Sequence, residues 1–176
     1  IRLERQKMDF LRKRADYIID TSHLLTRELR QEIEKIFVNN EKFCNMMVTV
    51  LSFGFKYGIP ADADLVFDVR FLPNPFYIPD LRNLTGLDSK VADYVLGNEE
   101  THKFLNAWEN LLNCVMPGYV AEGKQQLAIG VGCTGGQHRS VVLANKTAEL
   151  LAAQDYNVNV YHRDIALADT NKEVEK

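Results

Sequence analysis

The sequence predicts an α/β fold: a mainly parallel four-stranded sheet with flanking helices, preceded by a helix–strand–helix segment. Three observations carry this expectation. Short apolar, β-branched runs stand at 46–53, 65–70, 126–131 and 157–161. Helical apolar spacing fills the intervals between the last three of them. The final unit, strand then helix then strand, is a crossover that requires a parallel pair.

Taken in order, residues 2–15 carry a ragged apolar stripe (Leu3, Met8, Phe10, Leu11) and read as a helix. Residues 15–22 read as a short strand ending at cap residues. Thr26, Leu29, Ile33 and Phe37 mark an amphipathic helix down to about 37. The polar break Asn39-Asn40-Glu41-Lys42 sets a domain boundary. The first strand, 46–53, is followed by a loop at 54–58, and Asp62 and Asp64 precede the second strand. Pro73 and Pro75 preclude regular structure after it, so 71–88 is expected as a long irregular loop of functional use. Helices follow at 89–96 and from 99 to about 119. In the second, Phe104, Leu105, Trp108, Leu111, Leu112 and Val115 are expected in the core. The third strand is 126–131, a helix runs from about 138 to 154, and the fourth strand is 157–161. The expected organisation is a 1–40 segment, a 41–168 domain and a polar tail at 169–176.

Composition bounds the function. The chain has 176 residues, 46% apolar and 10% aromatic, which is enough to bury a core. A formal charge of −3 excludes an overall basic coat but leaves room for a local basic site. Cys44, Cys114 and Cys133 have neither disulfide-framework nor metal-ligand spacing, which points to a reducing, cytoplasmic setting without a metal site. His23 near a helix cap and His102 on a helix among polar neighbours read as ordinary residues. No apolar run is long enough to cross a bilayer. The first residue is Ile1, not Met, and a piece of a longer protein is expected.

The chemistry concentrates at Gly132 to Ser140, Gly-Cys-Thr-Gly-Gly-Gln-His-Arg-Ser. It lies where a strand gives way to a helix. Gly135 and Gly136 allow a tight turn and close approach to a ligand. The first amides of the helix lack carbonyl partners and, with the helix dipole, favour an anion. Thr134, His138 and Ser140 add polar groups, and Arg139 adds a planar cation suited to phosphate. The strand ends bring Lys56, Asp68, Arg70, His162 and Arg163 toward the same place, beyond the carboxyl edge of the sheet. No Gly-Lys-Ser/Thr triplet occurs, so this is not a Walker A loop. His-Arg-Asp at 162–164 lacks the other kinase signatures and is read as supplying pocket cations. An alternative reading follows from spacing. Five residues separate Cys133 from Arg139, and Ser140 follows, as in cysteine-dependent phosphatases, with Asp68 as candidate general acid.

Five ordered motifs carry a resemblance. Ser-Phe-Gly-Phe-Lys-Tyr-Gly-Ile-Pro (52–60), Asp-Val-Arg-Phe-Leu-Pro-Asn-Pro (68–75), Leu-Thr-Gly-Leu-Asp (84–88), the 132–140 loop and His-Arg-Asp (162–164) resemble the RapZ/YvcJ family of bacterial nucleotide-binding proteins. The leading segment, with Arg14-Ala15-Asp16 and Ile19-Asp20-Thr21, is similar to the end of that family's N-terminal P-loop domain. The resemblance implies a regulatory C-terminal domain with a remnant of a domain that binds and hydrolyses ATP or GTP. The chain itself is then non-catalytic and holds no cofactor. In the RapZ branch it further implies glucosamine-6-phosphate and small regulatory RNAs as partners, an RNase-adapter role and a homo-oligomer. The ligand pocket implied is Lys56, Asp68, Arg70, Cys133, Thr134, Gly135, Gly136, His138, Arg139, Ser140, His162 and Arg163. One departure stands out: Phe76 occupies the place of a RapZ-branch His.

Overall fold

The structure, a computed structural model, describes residues 8, 11–12, 14–37 and 46–166. The chain divides into two compact units, 1–45 and 46–176. Most of the helix expected at 2–15, the polar break expected at 39–42 and the polar tail expected at 169–176 lie outside the described residues.

In the first unit the helix α1 spans Thr26–Phe37. Its start is fixed by Glu28, whose carboxylate reaches back to accept the Leu25 amide at 2.8 Å. Ion pairs Arg30–Glu34 and Lys35–Glu32, both 2.9 Å, line its exposed side. The strand expected at 15–22 is not formed. There the Asp20 carboxylate accepts both the amide (2.9 Å) and the hydroxyl (2.6 Å) of Ser22, and this local turn replaces ladder pairing.

The second unit is the α/β domain. Its strands are β1 (Met47–Gly54), β2 (Leu65–Asp68), β3 (Gln126–Cys133) and β4 (Asn157–His162), in the order β2-β3-β1-β4. All three pairings are parallel. Central β1 and β3 are the apolar runs, as burial in a parallel sheet demands. The helices are α2 (Ser89–Leu96), α3 (Glu99–Ala121) and α4 (Arg139–Ala152). Side chains at Asp88 and Asn98 cap α2 and α3 by accepting the amides two residues on, both at 2.9 Å. The α4 helix lies over β1, β3 and β4, and α2 packs on it. Trp108 on α3 donates to the Thr147 hydroxyl on α4 at 2.9 Å, with its ring against Phe67 of β2.

Several boundaries differ from expectation for local reasons. β2 stops at Asp68 because the Asp68 side chain captures the Arg70 amide at 2.9 Å. β3 and β4 run on to Cys133 and His162 because β1 continues to pair with them. Residues 71–88 hold a single 3-10 turn, Pro75–Tyr77, and are otherwise irregular. On α3 the buried residues are Thr101, Trp108, Leu112 and Met116, whereas Leu111 is exposed.

Register sets the site. Gly54 stands opposite Cys133, Asp68 opposite Gly132 and Ser52 opposite His162. The chain leaves β1 toward the β2 edge and leaves β3 toward β4. Adjacent strands thus connect in opposite directions, the arrangement that opens a crevice at their carboxyl ends.

Candidate functional site: the strand-to-helix loop after β3

The loop 134–138 is held by close glycine contacts. Gly136 has φ +74°, and a Cβ there would meet the Gly54 amide nitrogen at 2.8 Å and Asp164 Cβ at 2.9 Å. A Cβ on Gly54 would meet the Gly135 carbonyl carbon at 2.7 Å. Lys56 N–H donates to Thr134 O at 3.1 Å, and Gly86 N–H donates to Gln137 O at 2.8 Å. The loop is therefore clasped by β1 on one side and by the 84–88 segment on the other. The first helical bond of α4 is Val142 N–H to His138 O, 3.1 Å. The N-cap position, His138, offers no side-chain cap. Among the described residues, the amides from Gly135 through Val141 find no acceptor. A run of unfilled donors at a helix N-terminus is a receptacle for an anion.

Arg139 completes it. Its side chain is 4% exposed and folds back across the loop. One terminal nitrogen, Nη1, donates to the carbonyls of Arg70 and Leu72, so it anchors the chain after β2. The other, Nη2, reaches Thr134 Oγ1 at only 3.4 Å, and the buried Nε has no partner. The Nε–Nη2 edge is the one that grips phosphate or carboxylate bidentately, and here its only partner among the described residues is Thr134, at the long distance to Nη2.

The remaining expected site residues divide into three groups. Lys56 and Thr134 are exposed beside the loop, and Gly135 has open space where a Cβ would stand. Arg70 and Arg163 are paired. Arg70 grips Asp68 with Nε at 2.9 Å and Nη2 at 2.6 Å and lies over the Phe55 ring. That bond, the largest influence, holds the Asp68 carboxyl below its ordinary range, with Arg139 adding to it. Arg163 grips Asp164 and donates to Gly58 O at 2.7 Å. Cys133, His138, Ser140 and His162 point inward. The Cys133 thiol meets the Ser140 hydroxyl at 3.1 Å, both buried. His138 is buried against the carbonyls of Leu84 and Arg82 with Nε2 unpartnered, and burial lowers its pKa. His162 Nδ1 lies 2.9 Å from the Ser52 hydroxyl, and burial lowers its pKa too. Expected as a cation, His162 is instead a neutral imidazole near neutral pH. Arg70 and Arg163 are ion-paired with Asp68 and Asp164, whereas Lys56 and Arg139 have no carboxylate ion pair among the described residues, so the site keeps surplus positive charge.

Sequence reasoning missed Asp164 as a builder of the loop. It is 2% exposed, accepts the Gly54 amide at 2.7 Å and packs against Gly136. Its signal was the acid directly after Arg163. Gly132 also has a structural reason: a Cβ there would strike the rings of Phe53 and Phe55 at 2.5 and 2.6 Å. Among the described residues no helix is long and apolar enough to cross a membrane.

Comparison with known proteins fits this architecture. The RapZ C-terminal domain family matches residues 46–166. A nucleotide-binding protein of Lachnoclostridium phytofermentans is 56% identical over 165 residues, covering 94% of this chain and 58% of that protein. One of Agathobacter rectalis is 54% identical, covering 93% and 56%. One of Caldanaerobacter subterraneus is 54% identical, covering 92% and 57%. The chain thus spans a little over half the length of these curated relatives. With all five motifs inside or overlapping the matched region, the chain belongs to the RapZ C-terminal domain family.

Proposed function

We propose that residues 46–166 form a regulatory receptor for a phosphorylated small molecule, an amino-sugar phosphate such as glucosamine-6-phosphate, within a nucleotide-binding protein. One observation carries the reading: the amides of Gly135 through Val141, without acceptors among the described residues, and the unpartnered Nε of Arg139 belong to one short stretch of chain. A phosphate dianion supplies acceptors for both and matches the surplus positive charge. Lys56 stands at the rim to add a contact. Domain coupling follows from the relatives, which are named nucleotide-binding proteins and extend well beyond the matched region. In such a protein this unit reports ligand occupancy to an ATP- or GTP-hydrolysing domain.

Calorimetric titration with glucosamine-6-phosphate, inorganic phosphate and unphosphorylated glucosamine tests the reading. The first two bind and the third does not, and Lys56→Gln weakens binding about fivefold to tenfold, in line with one charged contact of roughly 1–1.5 kcal/mol. Equal binding of the neutral sugar refutes it.

A second reading, RNA binding at the same loop, draws on the 76–82 segment, which runs into the stretch bonded to the loop through Gly86 and Gln137. Tyr77 and Phe76 are exposed, and the Arg82 guanidinium lies 4.9 Å over the Phe76 ring, groups that stack on unpaired bases. Gel shifts across salt concentrations decide it, since affinity that rests on phosphates must fall as salt rises.

A further inference from the structure

We propose that Cys133 is a phosphoryl acceptor, and that this loop cleaves only those phosphate compounds whose leaving group departs without a proton. The inference rests on the phosphate-binding reading above and adds covalent chemistry to it. Three features on one loop carry it. The Cys133 thiol stands 3.1 Å from the hydroxyl of Ser140, seven residues on, and that hydroxyl has no other partner among the described residues, so it can donate to a thiolate. The unfilled amides of Gly135 through Val141 follow Cys133 directly in the chain, where the oxygens of an attacked phosphoryl group need donors. Arg139, itself buried, crosses the loop with its Nε unpartnered and its Nη2 at Thr134, the residue next to Cys133.

The chemistry balances in two displacements. The thiol proton goes to solvent. Sγ attacks phosphorus, the S–P bond forms, and the P–O bond to the leaving group breaks, its electron pair leaving with that oxygen. Water then attacks the S–phosphoryl group, the S–P bond breaks with its pair returning to Sγ, and orthophosphate departs while solvent takes the water proton.

An alkyl leaving group needs a proton as it departs, and neither carboxylate of the site is placed to give one. Asp68, the carboxylate at the end of β2, is clamped from two sides by Arg70 and stays ionised. The buried Asp164 is committed to the Gly54 amide and to Arg163. Aryl and acyl phosphates, whose leaving oxygens depart as stable anions, can react. A sugar phosphate, an alkyl ester, is held and not cleaved. One cradle is then a receptor for sugar phosphates and a slow phosphotransferase to water for activated ones.

The test uses the 176-residue chain with para-nitrophenyl phosphate, acetyl phosphate and glucosamine-6-phosphate, beside calorimetric binding of inorganic phosphate. Phosphate binding and turnover of the first two by the wild type, with turnover lost in both Cys133→Ser and Cys133→Ala, is the expected result. The sugar phosphate is cleaved at least about 100-fold more slowly, the scale of a missing general acid. Denaturing alkaline quenching of the wild type, which spares the S–P bond, and mass spectrometry locate the phosphoryl group on Cys133, independently of how the variants fold. Phosphate binding without turnover, turnover that survives both substitutions, or equally fast cleavage of the sugar phosphate overturns this inference and leaves the receptor intact. Absence of phosphate binding removes both.

Discussion

Replacing Gly136 with alanine isolates the contact that shapes the loop. The residue sits at φ +74°, where an L side chain costs about 1–2 kcal/mol. The new methyl would also lie 2.8 Å from the Gly54 nitrogen, 2.9 Å from Asp164 Cβ and 3.1 Å from the Phe53 carbonyl carbon. Two of these are strand backbone, and the third belongs to a buried side chain tied to Arg163, so none can swing aside. Overpacking of this kind costs about 1–3 kcal/mol. Together the two effects give a loss of about 3 kcal/mol, which lowers Tm by about 6–12 °C for a chain of this size. Gly135 is an internal control one residue away. Its φ is not positive and nothing lies within 4 Å of its Cβ position, so Gly135→Ala shifts stability by less than about 1 kcal/mol. Urea and thermal unfolding followed by circular dichroism measure both. A Gly136→Ala change within about 0.5 kcal/mol of wild type, or equal losses for the two variants, refutes the close-approach argument.

Asp164→Asn removes one partner of the Arg163 pair and weakens the hold on the Gly54 amide. Arg163 keeps Gly58 O and some solvent, so the expected loss is about 2–4 kcal/mol by urea unfolding, with weaker phosphate binding in calorimetry. Trp108→Phe deletes the donor to Thr147, whose hydroxyl still bonds Leu143 O at 2.7 Å; unfolding shows a loss of about 1 kcal/mol. For pH, burial holds His138 and His162 below their unfolded pKa, so the unfolded chain takes up protons first as pH falls. The stability they contribute is complete above the unfolded value of about 6.5 and is lost as pH drops from there through their folded values. Tm therefore falls on acidification from about pH 7 to pH 5, and a His138→Gln/His162→Gln variant shows a flatter profile in that window.

Legibility differed by the range of the force involved. Helices α2 and α3 were read almost to the residue because each start is a local event: Asp88 and Asn98 cap the amides that follow them. Strands β1 and β3 were readable as buried apolar runs, and β4 by its alternation of apolar and polar residues. The segment 15–22 failed because apolar character cannot show whether a neighbouring strand exists, and Asp20 with Ser22 closes a turn instead. Leu111 was misplaced because α3 presents a narrow buried stripe at Trp108, Leu112 and Met116, and Leu111 lies just outside it.

At the site, the sequence by itself determined the loop, its glycines, the helix start and the presence of cations, all of which follow from spacing along one stretch of chain. Only the tertiary structure decided how those cations are employed. Arg70 and Arg163 are bound to Asp68 and Asp164, His162 is neutral beside Ser52, and Arg139 turns one nitrogen to the chain after β2 while its Nε stays unpartnered. Pairing, burial and the loss of a proton depend on residues brought together from up to 110 positions apart, as Ser52 and His162 are, and sequence spacing carries no record of that proximity.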